Sequence, residues 1–302
     1  MANQSLSHNP SETAQMAALR RELANKAYPD TPFGSDNLAT AFLPPHFRFF
    51  LKFRSVRQNT ADKLEAGLPG LQAYMIARTR FFDDLFTQAL QDHTPQIVLL
   101  GAGYDTRAYR FAALNHGTHI FELDSPPTQN RKIKCLKHGH VQIPEAVTFV
   151  PVNFNDQPTA EVLAQAGFRE DQKTLFLWEG VTYYLEASSV DQMIAFVCQT
   201  HSESLLAFDY TVTVTEETMN NYFGAKGFYQ AMQQHHGGEA LTFSLPEGTV
   251  DSFLEQRGLR VIRRLNNAAI EAEYLQREDG STLGPMTGHF RFVVAKPVLE
   301  SR

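Results

Sequence analysis

Cysteine is scarce in this sequence, and the scarcity sets a first limit. Cys135 and Cys198 are the only thiols in 302 residues, too few for a disulfide framework. The opening stretch MANQSLSHNPSETAQ shows neither a basic segment nor an apolar leader, so a cytoplasmic protein is expected. Long hydrophobic runs are lacking too. TLFLW and FRFVVA fall far short of the roughly 20 residues a bilayer span requires. Nor is there an excess of positive charge: 27 Lys and Arg against 33 Asp and Glu leave a net charge of −6. Neither a long nucleic acid nor a membrane is therefore an expected partner, whereas a small molecule or a protein C-terminus is. No internal repeat argues for a solenoid. Cys135, His138 and His140 lack a second cluster at metal-ligand spacing, so no metal site is expected.

What is present is a chain with 43% hydrophobic residues, enough for one large core with an elaborated lid. Residues 1–90 read as an N-terminal helical cap, with helical spacing broken by Pro29, Pro32 to Gly34, Pro44-Pro45 and Gly67 to Gly70. Within it, Arg48, Lys52, Arg54 and Arg57 interleave with Phe49, Phe50 and Phe53. An amphipathic helix packed on the rest of the molecule, with a charged outer face, is expected there. From Gln96 the texture changes to short β-branched and aromatic runs: QIVLLGAG, THIFELD, VTFVPVN, KTLFLWEG, SLLAFDYT, LRVIRRL and HFRFVVAKP. Seven strands, the first several separated by helical lengths, predict an α/β fold over 91–302 with a mostly parallel, doubly wound sheet. The long interval at about 211–250 predicts a lid insertion.

The chemistry begins where the first strand runs into Gly101-Ala102-Gly103-Tyr104-Asp105-Thr106. Glycines there let the backbone turn sharply and approach a ligand. A dinucleotide fingerprint would place a third glycine at Thr106, and its absence favours a ligand without a pyrophosphate. About 20 residues on, Glu122-Leu123-Asp124 ends the second strand. Asp124 lies nearest the strand's carboxyl end, where open α/β sheets bind ligands, and an acid there can accept from two ribose hydroxyls. The alternative is that Asp124 caps the following helix.

Three separated segments, GAGYDTR at 101–107, ELDSP at 122–126 and WEGVTYYL at 178–185, together resemble the leucine carboxyl methyltransferases and the tetracenomycin-type polyketide O-methyltransferases. The resemblance runs from about Ala73 through Tyr210. It implies a Rossmann-like methyltransferase fold with S-adenosyl-L-methionine as cofactor. It also implies that Arg78, in the helix before the first strand, grips the cofactor's carboxylate, with Gly101 and Gly103 beside its aminoacyl part and Asp124 on its ribose. Arg80, two residues on, would point elsewhere; the alternative for either arginine is an ion pair with Asp83 or Asp84. Where the family has an Asp-Leu pair beside adenine, this chain reads Asn153-Phe154, which leaves open whether Asn153 or Asp156 makes that contact. Glu179 matches an acid near the sulfonium, where a carboxylate complements positive charge. Tyr183, Tyr184, Asp209 and Tyr210 are candidates to border a substrate pocket, each with a core role as its alternative. His235-His236 falls in the lid.

The implied reaction is methyl transfer to an oxygen, with no histidine base placed by the sequence. A carboxylate acceptor is already ionised at neutral pH, whereas a hydroxyl would want a nearby base. A nicotinamide-dependent oxidoreductase and a non-catalytic cofactor-binding module are the competing readings.

Overall fold

The computed structural model describes residues 10–154, 158–234 and 241–298. Its N-terminal third is helical: α1 (Glu12–Ala27), α2 (Pro45–Phe50), α3 (Arg54–Gly67) and α4 (Leu71–Gln91). Then come β1 (Gln96–Leu100), α5 (Arg107–Arg110), β2 (His119–Asp124), α6 (Pro126–His138), β3 (Val147–Pro151), α7 (Thr159–Gln165), β4 (Thr174–Trp178), α8 (Ala187–Cys198) and β5 (Leu205–Thr211). The chain closes with α9 (Ala225–Gln234), α10 (Val250–Glu255), β6 (Leu259–Leu265), α11 (Asn267–Tyr274) and β7 (Phe290–Pro297).

All seven expected strands form one sheet in the order β3-β2-β1-β4-β5-β7-β6. The first five run parallel, and β7 is antiparallel to both β5 and β6. β1 and β4 are wholly buried, as the continuous apolar runs of a parallel sheet covered on both faces require. Alternation splits the core. Ile97, Leu99, Leu175 and Leu177 face the side packed by α1 and α4, whereas Val98, Leu100, Phe176 and Trp178 face the side packed by α7 and α8.

Helix α4 carries the weight on the first side. Its Tyr74, Ala77, Phe81, Phe82, Phe86, Ala89 and Leu90 are buried at helical spacing against that face. Each buried phenylalanine stabilises the fold by about 1.5–3 kcal/mol. The helix starts at Gly70, whose φ of 75° and contact with the Thr287 backbone admit no side chain: an added Cβ would lie 2.6 Å from the Thr287 nitrogen.

The helix after β1 is a single turn, Arg107–Arg110, followed by a 3-10 turn at Ala112–Leu114. Asp105 stays in the glycine turn, its N–H donating to the Ala102 carbonyl at 2.7 Å. The aromatic and basic segment at 47–57 is not one packed amphipathic helix. It is α2, a turn and the start of α3, and Phe47, Phe49, Phe50 and Phe53 lie on the surface while only Leu51 is buried. No helix among the described residues is long and apolar enough to cross a membrane.

Candidate functional site

In this sheet the chain reverses its winding between β1 and β4, and a crevice opens at their carboxyl ends. Gly101 follows β1, Asp124 ends β2 and Glu179 follows β4, and all three line one cavity of about 830 Å³. The glycine turn needs its glycines. Gly101 has φ 71°, and a Cβ there would meet Val181 Cγ2 at 2.6 Å. Gly103 has φ 44°, with the Ala14 methyl of α1 already 3.3 Å from where its Cβ would be. Helix α1 thus closes over the turn and forms one wall of the cavity.

Asp124 is fixed from below. Its Oδ2 accepts from Gly103 N at 2.6 Å and its Oδ1 from Ser125 N at 2.6 Å. The contact with the adjacent Ser125 N–H holds the carboxylate in the turn, so it does not cap α6 in the usual way. Burial pushes its carboxyl above the usual range, against these hydrogen bonds. Glu122, two residues earlier, is instead sealed in the core against Lys132 at 2.7 Å and Tyr109.

Arg78 is 6% exposed and does not pair with Asp83 or Asp84. Its Nε donates to Glu179 Oε1 at 2.9 Å, its Nη1 donates to the Tyr183 hydroxyl at 3.3 Å, and Asp209 lies 3.6 Å away. Gly180 packs against it, an added Cβ falling 2.9 Å from Nη1. Arg80 turns away, donating to the Tyr274 carbonyl and lying over the Phe33 ring. The second oxygen of Glu179 takes Arg107 Nη1 at 2.7 Å, and the same guanidinium reaches Asp83 at 2.8 Å and Asp105 at 2.5 Å. Glu179 is therefore held between two buried guanidinium groups. Burial raises the Asp83 carboxyl, but Arg110 and Arg107 outweigh that effect and leave it below the usual value.

The cavity also receives Asn153, Phe154, Tyr183 and Tyr184, together with Tyr74, Leu185, Phe290 and, from α9, Phe228 and Met232. Tyr210 does not reach it. Period-two alternation puts Asp209 toward α4, where it binds Tyr74 and Gly180 N, and sends Tyr210 to the opposite face beside Phe208. Asp209 itself is fully buried behind Tyr74. Asp156, His235 and His236 lie outside the described residues. No group of three or more potential metal ligands occurs among the described residues.

Three residues of the site are not singled out by the sequence motifs. Arg107 ends the glycine motif, and a basic residue two positions after Asp105 at a helix start is the available signal. Tyr74, one turn before Arg78, carried the same helical spacing. The third is Arg20 on α1, 3% exposed and lining the cavity, whose Nη1 and Nη2 have no hydrogen-bond partner. Burial lowers it to about 10, partly offset by Glu65, so it remains charged at neutral pH. Of the guanidinium groups lining the cavity, Arg21, Arg78, Arg107 and Arg110 all pair with carboxylates, and Arg20 does not.

Comparison with known proteins decides the family. The leucine carboxyl methyltransferase profile matches residues 14–198. The chain belongs to this family. A candidate S-adenosyl-L-methionine-dependent methyltransferase of Bacillus subtilis is 27% identical over 73% of this chain and 72% of its own length. One from Mycolicibacterium smegmatis is 29% identical over 88% and 90%. Other curated relatives align over as little as 39% of their own length. Among solved structures, a candidate methyltransferase from Thermobifida fusca shares the fold at TM-score 0.59, with 13% identity and 99% and 97% coverage. This leucine carboxyl methyltransferase family member is thus an S-adenosyl-L-methionine-dependent methyltransferase with a mixed seven-stranded sheet, and the nicotinamide reading falls.

Proposed function

We propose that the protein methylates an oxygen of a small molecule or protein C-terminus, and that this oxygen belongs to a carboxylate. The observation that carries the choice is the cavity wall: its described residues include no histidine, cysteine or lysine. Burial raises both Tyr74 and Tyr183 well above the phenol range, and of the acids beside them Asp209 is hydrogen-bonded and Glu179 is held by arginines. Of the other acids on the wall, Asp36 and Asp105 pair with arginines and Asp124 is held by backbone N–H groups, so a hydroxyl acceptor would find only the exposed Glu12 as a base, whereas a carboxylate needs none. Arg20 supplies an unmatched positive charge buried within the same wall.

The residues suit the cofactor. An Arg78–Glu179 pair presents both signs of charge to a zwitterionic aminoacyl tail, Arg78 to its carboxylate and Glu179 to its ammonium. Gly101 and Gly103 leave room for the backbone to pass close to it. The lone pairs of Asp124 not used by Gly103 and Ser125 take the ribose hydroxyls, and Asn153 and Phe154 flank the adenine. S-adenosyl-L-methionine supplies an electrophilic methyl group. What the chain adds is alignment and exclusion of water, with Tyr183, Tyr184, Leu185, Phe228 and Met232 forming the apolar part of the cavity around the acceptor.

The test is an acceptor screen with methyl-labelled cofactor, followed by alkali. Methyl esters release labelled methanol in base, so volatile counts support a carboxylate acceptor. Alkali-stable labelled product would overturn that choice and leave the hydroxyl reading. Cofactor binding without transfer to any extract component would favour a non-catalytic module.

A further inference from the structure

Helix α2 and the turn into α3 place four phenylalanines on the surface. Phe47, Phe49, Phe50 and Phe53 are 41%, 55%, 52% and 50% exposed, while the other exposed large apolar residues, such as Leu114, Phe223 and Ile262, lie in other segments. Three of the rings touch: Phe49 stands edge-on to both Phe50 and Phe53, centroids 5.7 Å apart in each case, while Phe47 packs against His46. Leu51 roots the turn in the core. A contiguous aromatic patch of this kind marks a contact surface, since single exposed apolar residues are ordinary but clusters are not.

The segment that carries the patch is charged with one sign. From Asn37 to Ala61 the sequence holds Arg48, Lys52, Arg54 and Arg57 and no aspartate or glutamate, in a chain of net charge −6. Arg48 and Arg57 are tied by hydrogen bonds to backbone carbonyls of the same segment, Leu43 and Leu51 among them, and so keep their charge at its base. None of the four forms an ion pair with a described residue, since every salt bridge found lies elsewhere. None lines the cavity.

We propose that this surface docks the protein peripherally on an anionic lipid bilayer, with the phenylalanine rings at the headgroup boundary and Lys52 and Arg54 among the lipid phosphates. The exposed cations Lys52 and Arg54 flank Phe53 and follow Phe49 and Phe50 within a few residues, so one short surface segment carries both the rings and the charges, as that boundary favours. A second copy of the chain would set these cations against themselves. Docking of this kind needs no spanning helix and is independent of the methyl acceptor.

The test is co-sedimentation of the full chain with vesicles of phosphatidylcholine, alone and mixed with phosphatidylglycerol. Binding to the mixed vesicles should exceed that to phosphatidylcholine on the order of tenfold and weaken in high salt. Phe49→Ser with Phe50→Ser should lose vesicle binding at unchanged S-adenosylhomocysteine affinity, which shows that the fold is intact. Lys52→Glu with Arg54→Glu should lose the preference for anionic lipid. Failure of the wild type to sediment with the mixed vesicles overturns the proposal, as does equal binding by both double variants. Self-association that the serine variant abolishes, or retention on single-stranded nucleic acid, in a protein that ignores vesicles would assign the patch to those partners instead.

Discussion

Replacing Arg78 by lysine tests the cofactor assignment more sharply than deleting its charge. The guanidinium uses Nε on Glu179 at 2.9 Å and Nη1 on Tyr183 at 3.3 Å, and Nη2 lies toward Gly180, so the fork retains donors for an incoming carboxylate. A lysine keeps one positive charge but cannot hold Glu179 and a carboxylate in one planar arrangement. Losing a charge-assisted hydrogen bond costs about 1.5–3 kcal/mol, which is roughly a 10- to 150-fold rise in Kd at 1.4 kcal/mol per decade. Arg78→Met should lose more, because Asp209 then loses its guanidinium neighbour, although Glu179 still has Arg107 at 2.7 Å. Calorimetric titration with S-adenosylhomocysteine and with its decarboxylated analogue closes a double-mutant cycle. The loss should appear for the full compound and shrink to near nothing for the analogue. Equal losses for both would refute the reasoning and assign Arg78 to packing of α4.

Asp124→Ala should weaken S-adenosylhomocysteine binding by about 1–3 kcal/mol by calorimetry, and unchanged affinity in a folded variant would remove Asp124 from the ribose. Asp83 has a carboxyl held below its ordinary value, so its contribution to stability is present above the unfolded value near roughly 3.9 and disappears as pH falls through the lower folded value. Asp83→Asn should therefore lower stability at neutral pH and flatten its fall below about pH 4 in urea titrations, whereas parallel acid limbs would contradict the pairing. Arg20→Met should leave thermal stability unchanged or raised, because no partner is lost and the cost of burying the charge goes, while KM for an anionic acceptor rises on the order of tenfold. A destabilised variant with unaltered KM would make Arg20 structural.

The strands were legible because the sheet is buried on both faces, so each one reads as an uninterrupted apolar run. The meeting of the glycine turn with the acid ending the next strand was legible because the two are coupled by short chain distances: Gly103 N and Asp124 Oδ2 meet across one crossover. The role of Arg107 was only faintly legible: Asp105 two residues before it is a local partner, but Asp83 and Glu179, which set its place in the cleft, are 24 and 72 residues away. Tyr210 was misplaced by treating the end of β5 as one site, when alternation sends Asp209 and Tyr210 to opposite faces. Helix α1 gave no sign of walling a cavity, because it buries Arg20 and Glu22 among its apolar residues and so lacks a clean stripe. The aromatic segment at 47–53 misled for the converse reason. An amphipathic pattern says that an apolar face needs cover, without saying that this chain supplies it.

The pairing of charges around the cleft has a consequence for which ligand each serves. Burying Arg78, Arg107 and Asp83 and largely burying Asp105 and Glu179 beside them is costly, and apolar residues of like volume would be at least as stable. A compensated pair nevertheless has one property that an apolar wall lacks. A zwitterion can exchange partners with it, its carboxylate taking Arg78 as its ammonium takes Glu179, so that no charge passes through an unpaired buried state. Such a pair suits an aminoacyl tail that must enter charged and leave charged in every turnover. Arg20 is the exception on the same wall, since its Nη1 and Nη2 are without partners. A cation left unmatched calls for an anion that arrives without a compensating cation of its own, and a carboxylate acceptor meets that requirement where the zwitterionic tail does not. Under the proposed function, this division would assign the arginine of α4 to the cofactor and the arginine of α1 to the acceptor.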